Sequence, residues 1–91
     1  MAKAATGKPM IKVLLFGRLG ELHSSSSLDI KLDDSIKTAG DVRKKIATDF
    51  PDLGRALDEP QTLVALNQEI VDLSQGLANG DELAFLPPVT G

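Results

Sequence analysis

The 91-residue sequence predicts an α+β domain: a mixed sheet with one main helix across one face. Three observations carry that expectation. Two short runs, "VLLF" near the start and "LAFL" near the end, are apolar on both faces, the mark of interior positions in a sheet and often of parallel neighbours. Only one stretch, "TAGDVRKKIATDF", repeats its apolar residues at helical spacing. The segments between them alternate or turn, as strands and their connections do.

Residues 1–9 are small and polar and read as a flexible leader, so the folded domain is expected over residues 10–86. "MIKVLLFG" is the first strand, with Ile11, Val13 and Leu15 on one face and Met10, Leu14 and Phe16 on the other. "RLGELHSSSS" reads as a loop or frayed hairpin, which leaves His23 alone in a polar, solvated setting. "SLDIKL" alternates and turns Leu28, Ile30 and Leu32 inward. In the helix Val42, Ile46 and Phe50 form one stripe flanked by Ala39, Thr38 and Asp41 resemble a capping box, and Pro51 stops it. "DLGRALDEP" is a connector with at most one helical turn, tucking in Leu53 and Leu57. "QTLVALNQEIV" is a strand, a bend at Asn67-Gln68 and a short returning strand. Asn79-Gly80 is a turn, Leu77 plugs the core, and "ELAFL" is the last strand, ended by Pro87-Pro88.

Two strands, a helix and further strands, with the first and last side by side at the centre, make the β-grasp, ubiquitin-like arrangement. One helix covers one face of such a sheet. The opposite face therefore carries an outward apolar set that includes Phe16 and Leu86, and an exposed apolar patch marks a partner interface.

Composition narrows the function. The chain has no cysteine and a single histidine, so it offers no disulfide, no thiolate zinc site and no cysteine nucleophile, and no metal site is expected. A net charge of −3 argues against a nucleic-acid partner. From Asp49 onward there are eight acidic residues and one basic residue, a balance suited to a basic partner surface. No segment approaches membrane-spanning length and the leader lacks an apolar signal region, so a cytoplasmic protein without a membrane partner is expected. "GRLGEL" matches no phosphate-binding fingerprint and "SSSS" has no oriented base, so a stand-alone enzyme is not indicated.

The C-terminus is the exception. Pro87 and Pro88 hold the last three residues extended, and Val89, Thr90 and Gly91 reach at most about 10 Å beyond them. Gly91 has no side chain, so its carboxylate could enter a slot where any Cβ would clash. Residues 87–91 thus form a short arm with a carboxylate at its tip.

"MIKVLLFGRLGEL", "LVALNQEIV" and above all "LANGDELAFLPPVTG" resemble the small subunit of molybdopterin synthase, from about Met10 to Gly91. The resemblance implies a β-grasp sulfur carrier that holds no cofactor of its own and is catalytic only within its complex. An adenylyltransferase related to ubiquitin-activating enzymes would use Mg-ATP to activate the C-terminal glycine, whose carboxyl becomes a thiocarboxylate. The tail would then enter the large subunit and give its sulfur to the cyclic pyranopterin precursor, forming the molybdopterin dithiolene. By the same resemblance Phe16, Ile70 and Leu86 lie on the surface that meets partners, and Gly91 is the reacting residue.

The family ends in Gly-Gly and this sequence in Thr90-Gly91, an arm shorter by about 3.5 Å. Either one further glycine comes after Gly91 or the chain is a divergent member; the otherwise intact tail favours the former. Leu86 stands where an aromatic is common in the family, which keeps the surface apolar. Carriers for thiamine synthesis, tRNA thiolation or protein conjugation share this design. A pure interaction module with an inert tail is the reading of a different class.

Overall fold

The computed structural model describes residues 9–23 and 25–87. Most of the expected leader and the tail residues Pro88, Val89, Thr90 and Gly91 lie outside them. Five strands, β1 (Met10–Leu15), β2 (Ser27–Lys31), β3 (Leu63–Leu66), β4 (Glu69–Val71) and β5 (Glu82–Leu86), form one sheet in the order β2-β1-β5-β3-β4. β1 and β5 run parallel at its centre and every other pairing is antiparallel. The two doubly apolar runs are therefore the central strands, and the chain has the expected β-grasp topology.

The main helix, α2 (Ala39–Asp49), buries Ala39, Val42 and Ile46 against the inner face of the sheet, where Ile11, Val13, Leu15, Leu83 and Phe85 meet it. Phe85 is 1% exposed, and burying a side chain of that size stabilises by about 2–3 kcal/mol. The start of α2 is fixed by the expected capping box: Asp41 N–H donates to Thr38 Oγ1 at 3.2 Å, and Thr38 N–H donates back to the Asp41 carboxylate at 3.1 Å. The Asn79-Gly80 turn closes on β1. Met10 N–H donates to Asn79 Oδ1 at 2.9 Å, and Gly80 N–H donates to the Met10 carbonyl at 2.8 Å. Asn67 and Gln68 both have positive φ, 49° and 74°, the two-residue bend that lets β4 return along β3. Leu77 packs half-buried against the core.

Four expectations need correction. "RLGELH" is a helix, α1 (Arg18–His23), rather than a loop; it buries Leu19, and six residues are too short to display a periodicity. His23 is not solvated. It is half-buried with its ring edge-on to Phe50 at 4.4 Å between centroids, and its Nδ1 is buried without a partner among the described residues. Phe50 does not complete the buried stripe: it sits at the C-cap of α2, 39% exposed, where the backbone leaves helical geometry. Pro51 ends α2 but also opens a further helix, α3 (Pro51–Leu57), because the first helical turn needs no proline N–H. That helix buries Leu53 and Leu57 as expected, over about two turns instead of one. α3 reaches α2 closely through Gly54, where a Cβ would lie 2.4 Å from Ala47 Cα.

Candidate functional site

Strand alternation sends every second residue of the sheet away from the helices. Register then decides which of these outward residues are neighbours. Leu14, Ala84, Ala65 and Ile70 lie in one row across β1, β5, β3 and β4. Leu63 lies opposite Leu86 in the next row. Phe16 N–H donates to the Phe85 carbonyl at 3.1 Å, which carries the β1–β5 ladder one residue further and brings Phe16 beside Leu86 on the same face. The three residues expected at a partner interface, Phe16, Ile70 and Leu86, are thus on one surface. Phe16 is 46% exposed, Ile70 63% and Leu86 half-buried.

The surface is graded. Ala65 and Ala84 put little bulk at its centre, while Leu14, Leu63, Leu86, Phe16 and Ile70 stand around them. Towards the other end of the strands the same face turns charged, with Lys12 opposite both Asp29 and Glu82. An apolar patch bounded on one side by charge is the ordinary form of a protein-binding surface. Leu63 belongs to it and sequence reasoning missed it. It is 45% exposed, as open as Phe16, and alternation within its own strand shows only that it shares a side with Ala65, not which side faces outward.

Where the tail begins, β5 ends at Leu86 and Pro87 leaves the ladder. Gly17, with φ +57°, lies against the proline ring; a Cβ there would sit 3.0 Å from Pro87 Cγ. The apolar face and the root of the tail are therefore contiguous through Phe16, Leu86 and Pro87. The expected tail positions Pro88, Val89, Thr90 and Gly91 lie outside the described residues.

Among the described residues the polar groups serve turns and caps. Among the described residues no group of three or more His, Asp or Glu side chains could hold a metal ion. Three carboxylates are held below their ordinary value, each by the turn or cap it serves. Asp33 accepts from the Ser35 hydroxyl and backbone N–H, Asp41 from the Lys37 and Thr38 backbone N–H groups, and Asp72 from the Ser74 hydroxyl and N–H. Asp33 and Asp72 lie in separate connections and Asp41 in the first turn of α2, so each is a structural acceptor serving its own turn or cap. Among the described residues no helix is long and apolar enough to cross a membrane.

Comparison with known proteins gives the chain its relatives. Residues 13–91 match the family model described as the ThiS family. The chain is 40% identical over 82 residues to the molybdopterin synthase sulfur carrier subunit of Haemophilus influenzae, covering 90% of this chain and 99% of that one. Its fold is similar to the small archaeal modifier protein 1 of Haloferax volcanii, with a TM-score of 0.78 and 29% identity over 91% of this chain and all of that one. It is also similar to a chain in the complex of subunits 1 and 2 of the molybdopterin-converting factor from Helicobacter pylori. There the TM-score is 0.64 and the identity 25%, over 90% of this chain and 97% of that one.

Proposed function

The chain belongs to the ThiS family, and on that premise we propose that it is the sulfur-carrier subunit of a molybdopterin synthase. The observation that carries the reading is the contiguity of an exposed apolar face, formed by Phe16, Leu63, Ile70 and Leu86, with the root of the tail at Pro87. The face would dock on the large subunit and the tail would run from its edge into that subunit's active site. Matching names among relatives that cover nearly the whole chain support the pathway, and the paired subunits of the Helicobacter pylori complex support the partner.

The chemistry rests on what a carboxylate lacks. It is a poor electrophile, so an adenylyltransferase related to ubiquitin-activating enzymes would join the terminal carboxylate to AMP from Mg-ATP, releasing pyrophosphate. A sulfur nucleophile then displaces AMP and leaves a thiocarboxylate. Docking makes the next transfer effectively intramolecular: the sulfur passes to the cyclic pyranopterin precursor, and water completes the release of the carboxylate for another cycle. The chain itself contributes the face, the arm and the terminal group; Gly91, or a glycine after it, is the residue that carries sulfur.

The direct test is calorimetric titration of the chain against the large subunit of molybdopterin synthase, alongside a version ending at Leu86. Saturable one-to-one binding, with sulfur transfer lost in the shortened chain, is expected. No binding by either version contradicts the proposal. Transfer from the activated carboxyl to a protein amine, with no product from the pyranopterin precursor, would assign the same carrier design to protein conjugation.

A further inference from the structure

We propose that the open edge of β2 is a docking site for a second copy of the same chain, paired antiparallel about a two-fold axis at Ile30. Among the described residues β2 is an edge strand, with β1 as its only neighbour in the sheet. The ladder shows which of its backbone groups are free. Leu15 N–H donates to the Ser26 carbonyl and Leu32 N–H to the Pro9 carbonyl, both at 2.8 Å. Ser26 and Leu32 are therefore directly bonded positions in the register that pairs Met10 with Lys31 and Leu14 with Ser27. Bonded and non-bonded positions alternate along an antiparallel pair. Leu28 and Ile30 accordingly turn their N–H and C=O groups to β1, and Ser27, Asp29 and Lys31 turn theirs outward.

The ends of this outward row are already closed. Ser25 Oγ accepts from Ser27 N–H at 3.3 Å and donates to the Ser27 carbonyl at 3.0 Å. Asp33, next in the row, exchanges both of its backbone bonds with Ile36, at 3.3 and 3.1 Å. Between them Asp29 and Lys31 keep four backbone groups with no hydrogen bond among the described residues. Both residues are exposed. An unpaired edge of this kind is a template for another strand.

The sequence selects the occupant. Leu28-Asp29-Ile30-Lys31-Leu32 is its own complement when reversed. Pairing two copies about Ile30 places Asp29 opposite the second copy's Lys31, and Lys31 opposite its Asp29. All four free groups on each strand then bond, two opposite-charge pairs form on the outer face, and Leu28 meets Leu32 on the inner one. Centring the pair on residue 29 or 31 would instead set like charges against each other. The groove along this edge is lined by Ile36, Ile46 and Phe50 together with polar and charged side chains that include His23, Lys45 and Asp49, so inward side chains of the added strand find apolar contact along part of it. Leu63, Ile70 and Leu86 lie on other strands and Pro87 comes directly after β5, so all four stay accessible and two carriers joined this way could each still dock through the face.

Sedimentation equilibrium over a concentration series tests the proposal, with fold checked by circular dichroism. The wild-type chain should dimerise weakly. Asp29→Lys and Lys31→Asp should each weaken self-association by at least about tenfold, since both charge pairs in the dimer become repulsive. An equimolar mixture of these two variants should associate at least as tightly as the wild type, because each then meets its opposite; a misfolded variant would not be rescued. Amide exchange at Asp29 and Lys31 should slow as concentration rises. A chain that stays monomeric at millimolar concentration overturns the proposal, as does a dimer indifferent to both substitutions. Protection of those two amides only when the large subunit is added overturns it too, and gives the edge to a strand of that subunit.

Discussion

Truncation of Ile70 measures the apolar face most sharply, because its side chain is the most exposed of the large apolar residues among those described, at 63%. Ile70→Ala removes three carbons. At about 0.8 kcal/mol per buried CH₂, docking would bury the exposed share of them for about 1.5 kcal/mol, close to a tenfold loss of affinity for the large subunit. The already buried share is worth about 0.9 kcal/mol to folding, a fall in Tm of about 4–7 °C for a domain this small. Leu63→Ala, at 45% exposed, should lose about 1.1 kcal/mol of binding by the same arithmetic, about sixfold. Leu22→Ala is the control: Leu22 is 47% exposed but sits on α1, off the sheet face. Calorimetry of each variant against the large subunit should rank Ile70 above Leu63 and show no change for Leu22. If Ile70→Ala and Leu63→Ala stay folded and bind within twofold of the wild type, the sheet face is not the docking surface. If Leu22→Ala costs as much as they do, the arithmetic reflects general apolar loss and not this interface.

Other predictions concern the framework that presents the face. Gly54→Ala places a Cβ 2.4 Å from Ala47 Cα and 2.5 Å from Ala47 Cβ, so α3 must shift; urea unfolding should show a loss of about 1–3 kcal/mol, and unchanged stability would mean that the two helices part at little cost. Gln68 holds φ at 74°, so Gln68→Gly should gain about 0.5 kcal/mol after the added unfolded-chain entropy is counted; a loss would show that the glutamine side chain stabilises the bend. The Asp41 carboxylate is held below its ordinary value of 3.8 by the Lys37 and Thr38 backbone N–H groups. Its folded pKa being the lower one, its contribution to stability is complete above the unfolded value and is lost as pH falls through the folded one. Asp41→Asn should therefore lower stability at neutral pH and flatten part of its decline below about pH 4; an unaltered acid profile contradicts the cap's role.

The strands were legible because their signals are local. Alternation at Leu28-Ile30, double apolarity at "VLLF" and "LAFL", and the Asn67-Gln68 and Asn79-Gly80 turns each express a backbone requirement within a few residues. The parallel partnership of β1 and β5 was also legible, from apolar residues on both faces of each run, although the outer set proves to be an exposed surface and not a second core. The short helices were not. α1 has six residues and one buried position, Leu19, and is held by its packing and not by a pattern. α3 was half seen through Leu53 and Leu57, but Pro51 reads equally as a stop and a start. For the site, Phe16 and Leu86 could be placed outward from their own strands. Ile70 and Leu63 could not, because their membership depends on which strands are neighbours, and strand order is not a local property of sequence. The unused edge of β2 was hidden for the same reason.

The central claim is that the terminal carboxylate carries sulfur, and intact mass spectrometry of the protein purified from its own host tests it most directly. The account predicts a species in which one sulfur replaces one oxygen at the C-terminal residue; the same spectrum shows whether a further glycine comes after Gly91. A chain without sulfur, still without it after incubation with an adenylyltransferase of the ubiquitin-activating type, Mg-ATP and a sulfur donor, would contradict the account and leave a β-grasp interaction module with an inert tail.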